Sequence, residues 1–150
     1  MIKVVRSTIV EAPITQVWDV LRDFNGHDRW HPAVHESRID DSEPSDKVGC
    51  VRRFRLADGS ELTEKLLALS DRERSYRYCL LETPIPLLNY VAEVELARVT
   101  DGGWTFWRWA SQFTVPKGQE HRLTKMVADN IYVTGFSAVK EYVAQQQRAR

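Results

Sequence analysis

The chain has 150 residues, of which 21 are basic and 21 acidic, so its formal net charge is zero and it lacks the electrostatic footprint of a nucleic-acid or anionic-membrane binder. That length fits a single domain over 1–150 with a real core. The N-terminus runs into Lys3, Arg6 and Glu11 without an apolar leader, and no run reaches the roughly 18 apolar residues of a membrane span, so a soluble cytoplasmic protein is expected.

Residues 2–11 are rich in β-branched side chains and stop at Ala12 and Pro13, which predicts a strand. Pro13 suits the first turn of a helix, and Ile14, Val17, Leu21 and Phe24, joined by Trp18 and Val20, keep helical spacing over 14–24. Asn25 and Gly26 end it. The stretch 28–32 reads as a second short turn or helix closed by Pro32, and 34–39 leaves extended.

After a polar turn at 40–46 the pattern becomes strand after strand. Residues 51–56 and 60–69 flank Ala57, Asp58 and Gly59, a turn open to two registers. A two-residue loop turns Arg53 and Arg55 inward; a three-residue loop with Gly59 left-handed turns in Arg52, Phe54 and Leu56 instead. Hydrophobic pattern favours the second, which gathers Phe54, Leu56, Leu62 and Leu66 inside and sends Arg53, Arg55, Glu61 and Lys65 to solvent. Arg52 and Glu64 then oppose each other on the inner face.

Further along, 75–82 carries Tyr76, Tyr78 and Leu80 on one side. Pro84 and Pro86 make 83–89 a loop or lid. Residues 90–99 alternate with Tyr90, Ala92, Val94 and Leu96 inward, and Asp101, Gly102 and Gly103 turn the chain into 104–115, whose inner set is Trp107, Trp109, Ser111 and Phe113. Pro116 and Gly118 precede the last element, a helix at 120–146. Its apolar arc, from Leu123, Val127, Ile131, Gly135, Ala138, Val139 and Tyr142 and widened by Tyr132, Phe136 and Val143, covers more than half the circumference. Such a helix must be enclosed from several directions. Gly135 and Ala138 are expected to admit a close neighbour, which offsets the helix cost of about 1 kcal/mol for glycine.

The order of elements is one strand, two short helices, six strands mostly joined by hairpins, and one long helix, which argues an α+β protein with an antiparallel sheet. A sheet curved around a broadly apolar helix leaves space between the two. A closed, largely apolar cavity of roughly 300 Å³ or more is therefore expected there.

Across the chain the sequence resembles the polyketide cyclase/dehydrase-like branch of the START-like (SRPBCC) superfamily. The resemblance rests on 12–18 (APITQVW), Asp23 with Phe24, and 30–32 (WHP), followed by Gly49 with Arg52, Asp58 with Gly59, and Glu64, Leu66 and Asp71. It continues through Pro86, Asn89 and Tyr90, then Trp109, Phe113, Tyr132, Gly135 and Phe136. It implies a helix-grip fold, with a seven-stranded antiparallel sheet wrapped around the long C-terminal helix and enclosing an apolar ligand cavity. Plant hormone receptors of that superfamily are similar in two loops that close over the ligand, matching 56–60 and 86–90 here. Neither loop keeps the receptor wording, since Ala57 and Asp58 stand in one and Leu87 and Leu88 in the other, so closure over some ligand is implied and hormone recognition is not.

The chemistry-bearing residues narrow the function. His27, His31 and His35 are spaced by four, but Pro32 breaks the helix that would align them, so no metal site is expected. Cys50 and Cys79 match no CxxC pattern and read as buried thiols. No GxSxG, HExxH or Gly-rich phosphate loop occurs, and no cofactor is called for. Arg52 with Glu64 remains, extended by His35, Tyr78, Tyr90, Asn130 and Thr134. A charged pair on an apolar face is either a brace or a polar anchor. The expected ligand-binding set is Arg52, Phe54, Leu56, Leu62, Glu64, Tyr76, Tyr78, Tyr90, Trp107, Trp109, Asn130 and Thr134. The expected partner is a mainly apolar small molecule with a few polar groups; a homodimer is compatible with the sequence. Two rival functions stay open: a cofactor-independent cyclase or dehydratase using Glu64 as acid or base with Arg52 stabilising an enolate, and a protein-interaction module using the 83–89 loop.

Overall fold

The computed structural model describes residues 1–149. Strand β1 (Ile2–Val10) leads into α1 (Ile14–Leu21), a one-turn 3-10 helix (His27–Arg29) and β2 (Val34–Ile39). Five further strands follow: β3 (Val51–Leu56), β4 (Glu61–Ser70), β5 (Ser75–Glu82), β6 (Leu88–Val99) and β7 (Trp104–Thr114). The chain ends in one helical rod made of α2 (Glu120–Lys125), a π-helical stretch (Met126–Val133) and α3 (Thr134–Arg148). No described helix is long and apolar enough to cross a membrane.

All seven strands form one antiparallel sheet in the order β1-β7-β6-β5-β4-β3-β2, so the chain's first two strands lie at opposite edges. This is the expected helix-grip arrangement. The β3–β4 hairpin takes the three-residue register: Leu56 N–H donates to the Ser60 carbonyl at 2.9 Å and Gly59 has φ +88°. Gly59 is the residue that tolerates that left-handed backbone. Arg52 consequently pairs with Glu64 and Phe54 with Leu62.

Several boundaries differ from the sequence expectation, and two of the differences shape the packing. α1 stops at Leu21, with Phe24 buried just beyond it. β6 starts at Leu88 instead of Tyr90, because Asn89 adopts φ +55° and absorbs a register shift against β7 between Leu88 and Val91. Asparagine enters that region more readily than most residues. The bulge leaves Leu88 exposed and Tyr90 inward.

The buried face of the terminal rod also differs. Leu123, Val127 and Ala128 are buried, followed by Tyr132, Phe136, Val139 and Val143, whereas Ile131, Ala138 and Tyr142 are only half-buried. The step from Val127 to Tyr132 is five residues, the hydrogen-bond interval of a π-helix, and it turns α3 so that Tyr132 and Phe136 point at the sheet. Tyr132 stacks on Trp109 at 4.3 Å between centroids, and Phe136 meets Trp107 edge-on at 4.6 Å. Gly135 supplies the close approach expected of it: a β-carbon there would lie 2.8 Å from Trp109 Cζ3 and 3.4 Å from His31 Cδ2.

Candidate functional site

A cavity of about 280 Å³ lies between the sheet and the terminal rod, just below the roughly 300 Å³ expected and the roughly 300–1,000 Å³ usual for ligand pockets. Strands β3 to β7 and the π-helical stretch supply most of its wall, and the segment between α1 and β2 closes one side. It is not closed throughout as expected. Ala33 and Asn130 line it yet are exposed, so they mark a mouth between the segment preceding β2 and the π-helical stretch. Leu56 and Leu87 also line it, which brings both loops of the implied lid pair against the space.

Ten of the twelve expected residues line this cavity: Arg52, Phe54, Leu56, Leu62, Glu64, Tyr76, Tyr78, Tyr90, Trp109 and Asn130. Trp107 and Thr134 do not. Trp107 is fully buried beneath Phe136, where rod and sheet touch and leave no space. Thr134 sits just after the π-helical stretch, half-buried, with its hydroxyl donating to the Asp129 carbonyl at 3.0 Å. His35, expected beside the charged pair, is exposed on β2. Of the two thiols, Cys50 is buried and Cys79 only half-buried, and both are pushed above the ordinary thiol value by burial.

The residues that sequence reasoning missed come from the segment before β2, the end of β5 with the loop after it, and the π-helical stretch. His27, Trp30 and His31 line the cavity, as do Leu80, Ile85, Leu87, Met126 and Ile131. His31 is fixed at both ring nitrogens: Nδ1 accepts the Ala33 N–H at 3.2 Å, so Nε2 carries the proton and donates to the Ile131 carbonyl at 3.1 Å. That pair of bonds ties the cavity's mouth to the rod. His27 is 7% exposed, edge-on to Phe54 at 4.6 Å, and neither ring nitrogen has a partner among the described residues. Burial first, then the positive Arg52 and then His31, hold His27 well below the ordinary imidazole value, so it is neutral. The signals for these two histidines were the spacing by four of His27, His31 and His35 and, for His31, the group Trp30, His31 and Pro32, neither of which tells which way a ring points.

At the polar end Arg52 and Glu64 are 5% and 6% exposed. Arg52 donates to one oxygen of Glu64, Oε1, from Nε at 2.9 Å and from Nη2 at 2.7 Å. Its Nη1 donates to the Phe24 carbonyl at 2.6 Å. The guanidinium carbon lies 3.8, 5.2 and 5.6 Å from the ring centroids of Phe24, Tyr78 and Phe54, within cation–π range. Burial raises Glu64 above the ordinary carboxylate value despite its partner, while Arg52 stays charged. Around the pair the hydroxyls are ordered: Trp109 Nε1 donates to Tyr78 at 3.1 Å, and the Tyr90 and Tyr132 hydroxyls meet at 2.5 Å. The arrangement is an apolar chamber with one charged, nearly neutralised corner.

Solved structures share this architecture. An uncharacterised protein from Bacillus thuringiensis is 23% identical, with TM-score 0.84 over 95% of this chain and 99% of its own. The protein XoxI from Bacillus cereus is 22% identical, with TM-score 0.86 over 98% and 99%. A Thermobifida fusca protein is 26% identical, with TM-score 0.83 over 97% and 95%. No functionally curated protein matches. The sequence profile described as polyketide cyclase / dehydrase and lipid transport matches residues 1–144, nearly the whole chain, and the protein therefore belongs to that family.

Proposed function

We propose that this protein binds a mainly apolar small molecule in the chamber between the sheet and the terminal rod. The observation that carries the reading is a cavity of about 280 Å³ walled by Phe54, Leu62, Leu80, Tyr78 and Trp109, with a mouth beside Ala33 and Asn130. A protein without a ligand gains by filling such a space with side chains, because interiors are otherwise close-packed. Family membership supports the same reading, since its description includes lipid transport.

Uptake of an apolar fluorescent dye tests it. The parent protein is expected to bind one dye per chain and to release it to competing hydrocarbons. Ala33→Trp, a change at an exposed rim position, is expected to block uptake without lowering the melting temperature. Equal dye binding by parent and variant would show that the dye sits elsewhere and would overturn the reading. Native mass spectrometry of protein from its own host then identifies what it carries.

A second reading, acid/base catalysis by Glu64, draws support from the carboxyl's raised pKa and its place on the cavity wall. Turnover of the co-purified ligand, lost in Glu64→Gln, distinguishes it from binding alone. The interaction-module reading has less support, because Ile85 and Leu87 of that loop lie on the cavity wall and only Leu88 is an exposed large hydrophobic residue.

A further inference from the structure

The charged corner offers the cavity an unused carboxylate oxygen beside a largely engaged cation. Arg52 donates three of its five N–H groups, from Nε, Nη1 and Nη2, and aromatic rings crowd its guanidinium. Both of its bonds to Glu64 end on Oε1, so Oε2 has no donor among the described residues. The Tyr76 hydroxyl likewise has no hydrogen-bond partner among the described residues, and its ring packs against Phe24 at 6.1 Å and Tyr78 at 5.9 Å, the two rings nearest the Arg52 guanidinium. Five side-chain polar atoms in the described chain are sealed and unpartnered: both ring nitrogens of His27, the indole nitrogens of Trp30 and Trp107, and Ser111 Oγ. Glu64 Oε2 and the Tyr76 hydroxyl are not among them, and both residues line the cavity.

The charges select among ligands. Arg52 and Glu64 cancel, and the neighbouring His27 is neutral, so the corner has no net charge to repay an anion's desolvation. The carboxylate oxygen left open repels an anion outright. A cation is repelled by Arg52, which is paired with the same carboxylate at 2.7 Å. A neutral hydroxyl has neither penalty: its O–H is donated to Oε2, a charged acceptor, and its lone pair accepts from the tyrosine.

We propose that the cavity selects a neutral apolar compound bearing a hydroxyl at one end, an alcohol or phenol, which donates to Glu64 Oε2 and accepts from the Tyr76 hydroxyl. This rests on the small-molecule reading above.

The test compares four probes with one ring system: naphthalene, 2-naphthol, 2-naphthoate and 2-naphthylmethylammonium, titrated at pH 7 by calorimetry. 2-Naphthol is expected to bind at least fivefold tighter than each of the others. Tyr76→Phe and Glu64→Gln should each lower the ratio of 2-naphthol to naphthalene affinity to within about twofold of one. Tyr76→Phe keeps the ion pair and serves alone should Glu64→Gln fail to fold. Tighter binding of the naphthoate or the ammonium, equal binding of naphthol and naphthalene, or a preference untouched in Tyr76→Phe overturns the proposal while leaving the small-molecule reading intact. Failure of all four probes to bind overturns both.

Discussion

Arg52 is held to Phe24 twice over, by a hydrogen bond from Nη1 to the Phe24 carbonyl at 2.6 Å and by the Phe24 ring, whose centroid lies 3.8 Å from the guanidinium carbon. The buried pair therefore does more than join β3 to β4, since it also pins the segment that follows α1.

That extra bond sets what the double change Arg52→Met with Glu64→Leu should do. Similar-sized apolar residues often replace a buried ion pair without loss, but here the Phe24 carbonyl is left without its donor, a deficit of about 1–3 kcal/mol. Glu64→Leu alone strands a buried guanidinium and is expected to cost about 3–5 kcal/mol. In urea unfolding the double variant should thus lie between the parent and Glu64→Leu. A double variant no more stable than Glu64→Leu would mean that Arg52 is not stranded by the single change.

His27 and His31 give stability a defined pH dependence. Burial depresses both imidazoles in the folded protein, His27 the more strongly, whereas the unfolded chain titrates near pH 6.5. The unfolded state therefore binds protons first. Their contribution is complete above about pH 6.5 and is lost as pH falls from there towards the folded values, by up to about 1.4 kcal/mol per pH unit for each histidine. Glu64, whose carboxyl is raised, acts in the opposite sense, from its folded value down to its ordinary one. His27→Leu removes a ring whose two nitrogens are sealed without partners, so it should be more stable than the parent at pH 7 by about 1–3 kcal/mol. It should also show a flatter decline between pH 6.5 and 5.5. Parallel pH profiles for the two proteins would contradict this account of His27.

Much of the fold was legible because alternation in the strands is a period-two signal, and the same hydrophobic pattern chose the three-residue turn that brings Arg52 opposite Glu64. Alternation gives the face of the sheet, however, and not the position along it. Trp107 and Trp109 are both inward, yet only Trp109 reaches the cavity, because the rod touches the sheet at Trp107. The rod's phase was also hidden, since a wheel drawn at 3.6 residues per turn cannot anticipate a π-helical stretch and so assigns Ile131 and Tyr142 a deeper place than they have. His27 and His31 lie in a segment with no regular period, where sequence spacing carries no direction.

Gly135→Ala measures how tightly the rod is gripped. Trp109 cannot yield easily to the added methyl, because it stacks on Tyr132 at 4.3 Å and on Trp107 at 5.6 Å and donates to the Tyr78 hydroxyl. Overpacking of this kind costs about 1–3 kcal/mol, against a helix-propensity gain of about 1 kcal/mol. A net loss of stability is expected, together with a shift in tryptophan fluorescence. A stabilised variant would mean that rod and sheet separate more readily than the contact implies.

The hydroxyl pair Tyr90 and Tyr132 allows the most stringent test of the core, because both rings are buried, at 4% and 0% exposure, and each hydroxyl is the other's partner. Removing one hydroxyl leaves the other desolvated, which costs about 1–3 kcal/mol, whereas removing both is nearly neutral. The two single changes are not equivalent. Ser111 Oγ is buried, unpartnered and near enough to Tyr132 to affect its ionisation, so Tyr90→Phe leaves Tyr132 free to turn to the serine. Tyr132→Phe leaves Tyr90 to turn to the neighbouring Tyr78 hydroxyl, which accepts from Trp109 but keeps its own O–H to donate. Each single change should therefore cost stability according to how well its substitute is reached, and the double variant should recover most of that loss. Additive effects in that cycle would show that the two hydroxyls are not coupled and that water or another group satisfies each one separately.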